Sequence, residues 1–73
     1  MKTILEQGSY KVIQYTNSFI CLDYITPSVG MTLKTFEDKE AAEDVYKAVI
    51  KKTSGTTFIE REALDELCTT LHG

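Results

Sequence analysis

Two neighbouring stretches, Ser9 to Thr16 and Phe19 to Ile25, are rich in β-branched and aromatic residues, and Asn17-Ser18 between them has the chemistry of a two-residue turn. That spacing predicts a hairpin in which Tyr15 lies opposite Ile20, Ile13 opposite Leu22 and Lys11 opposite Tyr24. Ile13, Tyr15, Ile20, Leu22 and Tyr24 then share one face. The reverse face is also apolar, with Tyr10, Val12, Phe19, Cys21 and Ile25. A sheet with two apolar faces needs two covers, and a chain of 73 residues is short of material for both.

Further along, Thr26-Pro27-Ser28-Val29-Gly30 reads as a loop, because Pro27 cannot donate to a ladder and Gly30 permits a turn. Met31 to Phe36 alternates apolar and polar and predicts a third strand, with Met31 and Leu33 on one side and Phe36 on the other. Asp38 has the chemistry of an N-cap. The apolar residues Ala41, Ala42, Val45, Tyr46, Val49 and Ile50 then recur at helical spacing, which predicts a helix from Asp38 to Lys52. Lys51 and Lys52 suit its negative end, and Gly55 suits a left-handed exit. Thr56 to Ile59 fits either a short fourth strand or the lead into a second helix near Glu60 to Leu71, where Thr57 and Glu60 have the spacing of a capping box. Ile59, Ala63, Leu64, Leu67, Cys68 and Leu71 form that helix's stripe. Met1 to Gln7 is mixed, with Ile4 and Leu5 expected to tuck against the core. The expectation is one α+β domain over residues 1–73: a three-stranded antiparallel meander and two C-terminal helices, in the order β-β-β-α-(β)-α.

Composition narrows the partners. Eleven acids against 8 bases give a net charge of −3, which argues against a protein that tracks phosphates or an anionic membrane surface. It suits a basic protein partner. No apolar stretch approaches a membrane span and Met1 to Gln7 has one short apolar pair, so a cytoplasmic chain without a leader is expected. Cys21 and Cys68 have no motif spacing and read as reduced, separate thiols without metal.

Catalytic chemistry has little to stand on. His72 is the single histidine, no serine sits in G-x-S-x-G, and no phosphate-cradling glycine motif occurs. No cofactor is expected. The acids Glu40, Glu43 and Asp44 read as the wet side of the first helix, or as a patch that meets a partner. Asp23 stands mid-strand on an otherwise apolar face, either as a solvated carboxylate or as a specificity residue in an interface. Tyr10, Val12 and Phe19 belong to the second face and are candidates for contact with something else, and Val29 is a candidate on its loop.

These features predict a non-enzymatic interaction protein: a small acidic regulator or inhibitor that forms a homodimer or higher oligomer and binds another protein. Domains of this size and charge are of the kind that phages and mobile elements encode, which is an analogy and not a motif. A second expectation is an oligomer that holds a nucleotide-like metabolite through Tyr10, Lys11 and Lys34. A third is an acidic mimic of nucleic acid.

Overall fold

A computed structural model describes residues 1–72, with side chains described through residue 70. Leu71 of the second helical stripe, His72 and Gly73 fall outside the described side chains. The elements run β1 (Lys2–Gln7), β2 (Tyr10–Thr16), β3 (Phe19–Ile25), β4 (Gly30–Phe36), α1 (Lys39–Thr53) and α2 (Arg61–His72). The four strands form one antiparallel sheet in the order β1-β2-β3-β4. The architecture is α+β, a meander with two C-terminal helices. Its fourth strand is the N-terminal segment, and Thr56 to Ile59 is a turn and connector with no strand.

Each strand pairing contains one bulge, and the bulges decide which residues face inward. In β1 the register shifts between Thr3 and Leu5, which lets the adjacent Ile4 and Leu5 both pack against the core. In β4 it shifts at Leu33, so Leu33 and Phe36, three residues apart, both join the core. The decisive bulge lies in β2. Thr16 pairs with Phe19 across the two-residue turn, Tyr15 is the extra residue, and the register then runs Gln14–Ile20, Ile13–Cys21, Val12–Leu22, Lys11–Asp23 and Tyr10–Tyr24. The expected pairs of Ile13 with Leu22 and Lys11 with Tyr24 are each off by one. The shift is physically sensible: it sets Lys11 opposite Asp23, where an unbulged hairpin would have set Asp23 against Val12.

A one-residue slip exchanges the faces of a whole strand. Tyr10 and Val12 therefore join Ile20, Leu22, Leu33, Val45 and Val49 in the core and are fully buried. They belong beneath the helices and not to the second face. α1 forms where the stripe predicts. The Asp38 carboxylate accepts a hydrogen bond from the Glu40 amide at 3.1 Å, and Ala42, Val45, Tyr46 and Val49 point into the core. Its C-cap, Ser54, is left-handed, with φ 59°. Gly55 continues that turn and accepts a hydrogen bond from the Ser9 amide at 2.9 Å. Gly8 is needed at this clasp: a Cβ there would stand 2.0 Å from the Gly55 oxygen. α2 returns beside α1, and Ile59 and Leu64 enter the same core. Both helices thus lie on one face of the sheet.

Candidate functional site

Among the described residues, none forms a second layer over the other face. Its side chains follow from the register in rows across the four strands: Thr3–Ile13–Cys21–Thr35, and beside it Glu6–Lys11–Asp23–Thr32. Tyr15 and Phe19 extend this surface at the β2–β3 turn, with ring centroids 5.8 Å apart in an edge-on arrangement. They are 38% and 47% exposed, whereas Cys21 and Asp23 are only 2% and 4% exposed. Ile13 is buried here as well, although on this side of the sheet and not in the helix-covered core.

Asp23 is the chemically distinctive group. Its Oδ2 accepts a hydrogen bond from the Tyr15 hydroxyl at 2.9 Å. Its Oδ1 is buried and has no hydrogen-bond partner. A buried carboxylate oxygen without a donor is costly. Lys11, directly across on β2, does not fill the gap, because its Nζ lies 2.9 Å from Oε2 of Glu6 on β1. The hydrogen bond to Asp23 raises the Tyr15 pKa above the usual tyrosine value, with burial and the Asp23 charge adding to it. Burial, then the same negative charge, pushes the Cys21 thiol up. A raised pKa keeps Cys21 a thiol at neutral pH, which makes it a poor nucleophile.

The expected site residues divide among separate places. Phe19 and Asp23 stand together on the uncovered face, joined by Tyr15, Cys21, Ile13 and Lys11. Val29 is exposed in the β3–β4 loop, at the far end of β3 from Phe19, where its amide donates to Oγ1 of Thr26 at 3.0 Å. Glu40 and Asp44 are exposed and Glu43 half-buried on α1, in the helical layer. Tyr10 is sealed inside, and its hydroxyl donates to the Thr57 carbonyl. The trio Tyr10, Lys11 and Lys34 does not converge: Tyr10 is in the core, Lys11 is on the uncovered face, and Lys34 reaches Asp65 of α2 at 3.7 Å.

Two features escaped the hydrophobic pattern. Tyr15 belongs to the uncovered face, and the signal for it is a phase change in β2, whose apolar positions run 10, 12 and then 13, 15. Phe58, in the linker between the helices, is 43% exposed and meets Tyr24 edge-on at 5.4 Å. A cleft of about 380 Å³ also opens between β4 and α2, lined by Thr32, Leu33, Lys34, Thr35, Arg61 and Asp65. Among the described residues, no three His, Cys, Asp or Glu side chains gather as a metal would require, and no helix is long and apolar enough to cross a membrane.

No family model, curated protein or solved structure matches the chain.

Proposed function

We propose that this chain is a non-enzymatic interaction protein that associates with itself through the uncovered sheet face and, as a small acidic regulator or inhibitor, binds another protein. One observation carries the self-association: the face opposite the helices presents Tyr15 and Phe19 above the buried Cys21 and Asp23, with no layer over them among the described residues. The two neighbouring half-exposed rings are the apolar part of that face, and removing them from water is what a contact there gains. The edges of the sheet are poorer docking sites. Both edge strands carry bulges, and β4 adds Lys34, devices that blunt edge-to-edge pairing. The small size and acidity suit a regulator of the phage or mobile-element type, by analogy alone. Cys21 and Cys68, unpaired and on opposite sides of the sheet, support a reducing compartment such as the cytoplasm.

Sedimentation of Phe19→Glu beside Asp44→Lys tests this reading. Phe19→Glu should lower the association of the folded protein at least about tenfold, since a charge would enter an apolar contact, and Asp44→Lys should leave it unchanged. The reverse result would move the interface to the acidic surface of α1.

A second reading is favoured by the cleft beside β4. There the Lys34–Asp65 ion pair, Arg61 and two threonine hydroxyls leave one net positive charge, which suits a small anionic metabolite. Native mass spectrometry of the purified protein would show a mass above 8.2 kDa per chain if such a ligand is carried.

A further inference from the structure

We propose that the second copy is related to the first by a two-fold axis that runs along the strands at the midline of the sheet, between β2 and β3, so that Lys11 of each copy meets Asp23 of the other. This rests on the self-association reading above and specifies its geometry.

The argument begins with the orphaned Oδ1 of Asp23. It is buried without a donor, and the neighbouring Lys11 is drawn to Glu6 instead. The other residues of its row are Glu6 and Thr32, so Lys11 is the row's one cation. Asp23 is only 4% exposed, so a group outside the chain acts on its charge through the face and not by a hydrogen bond to the orphaned oxygen, and a cation laid over the face is what suits it. The same face of a second copy supplies one in Lys11.

The register then selects the axis. A two-fold along the midline lays β2 of one copy over β3 of the other and β1 over β4. Ile13 covers Cys21 of the second copy, Lys11 covers its Asp23, and Thr3 covers its Thr35. Each contact occurs twice, as an isologous interface requires. Moving the axis by half a strand spacing spoils the match. Along β2 it would set Lys11 over Lys11 and Asp23 over Glu6, and along β3 it would set Asp23 over Asp23. An axis across the strands through this row again sets like on like. The midline axis alone among these opposes unlike charges, and it leaves the two sheets in the aligned arrangement that packed sheets commonly adopt.

Area agrees. The molecule is a slab of 29 × 28 × 16 Å. Its broad face has an outline on the order of 800 Å², which is the share per partner in an interface of standard size.

Charge reversal across the two copies tests the axis. Lys11→Asp and Asp23→Lys should each, alone, reduce dimerisation about 100-fold or more, because like charges then oppose one another twice. An equimolar mixture should restore a mixed dimer, since both contacts again join unlike charges. Wild-type protein that dimerises while Lys11→Asp dimerises equally well would overturn the axis and leave self-association standing. A wild-type monomer would overturn both. If Asp23→Lys does not fold, oxidised Thr3→Cys/Thr35→Cys in a Cys68→Ser background replaces it, because the two positions lie on opposite edges of one sheet and meet only across the axis: a disulfide-linked dimer supports the axis, and its absence from a dimeric protein overturns it.

Discussion

On the helix side of the sheet, Val12, Ile20 and Leu22 lie sealed beneath Val45, Val49 and Leu64, and the buried Tyr10 hydroxyl there finds the Thr57 carbonyl. On the other side, Ile13 and Cys21 are buried only by their neighbours in the sheet, Phe19 is half exposed, and Asp23 keeps one oxygen without a donor. The two faces share one backbone ladder, so hydrogen bonding between strands does not distinguish them. The difference comes from where the chain goes next. The connection from Thr53 to Arg61 turns α2 back beside α1, and Gly55 ties that turn to Ser9. Both helices are thereby committed to one layer, and nothing remains in the described chain for the second.

The contrast is broken most forcefully at Leu22 and Phe19, three positions apart on β3 and pointing to different sides. Leu22→Ala should cost about 2–5 kcal/mol in denaturant unfolding, a large part of what a small domain has. Phe19→Ala should cost the monomer well under about 1 kcal/mol, because its ring is already half in water. Equal losses at low protein concentration would mean that the two faces are equally finished.

Tyr15→Phe sharpens the comparison. Removing the hydroxyl would leave both oxygens of the buried Asp23 carboxylate without a protein donor, at a cost of roughly 1–3 kcal/mol. A variant as stable as wild type would show that water already serves Asp23 and that its burial is incomplete.

A third measurement compares the two thiols. Cys68 is half-buried against the helical core and Cys21 is nearly inaccessible, with a raised pKa from burial and the Asp23 charge. Alkylation of native protein at neutral pH, followed by mass spectrometry, should modify Cys68 well before Cys21. Faster modification of Cys21 would show that Tyr15 and Phe19 leave its side of the sheet open.

The smallest effect is at alkaline pH. Burial raises the pKa of Tyr10 and Tyr46, and the bond to Asp23 raises that of Tyr15. Groups whose folded pKa exceeds the unfolded value stabilise fully below the unfolded value of about 10, and that contribution is lost as pH rises through the folded values. Thermal midpoints should fall above pH ~10, and less steeply in Tyr15→Phe. An identical alkaline profile in that variant would remove Tyr15 from the account.

Much of this could be read from residue order. The stripe Ala42, Val45, Tyr46, Val49 and the cap Asp38 specify α1 because helix periodicity and capping are local. The turn at Asn17-Ser18 was equally legible. The faces were not, because a single bulge at Tyr15 moves every residue of β2 before it to the other side. β1 was hidden for a related reason: its bulge puts Ile4 and Leu5 side by side on the core, which erases the alternation that marks a strand. Asp23 was recognisable as out of place, and Phe19 as a surface residue. The orphaned oxygen and the neighbouring Lys11 depend on the shifted register and could not be read in advance.

The most direct test of the uncovered face is the mass of wild-type protein by light scattering across a dilution series reaching tens of micromolar. A chain that meets a second copy there should approach twice 8.2 kDa at the top of the series and fall towards 8.2 kDa on dilution. A constant 8.2 kDa throughout would contradict it.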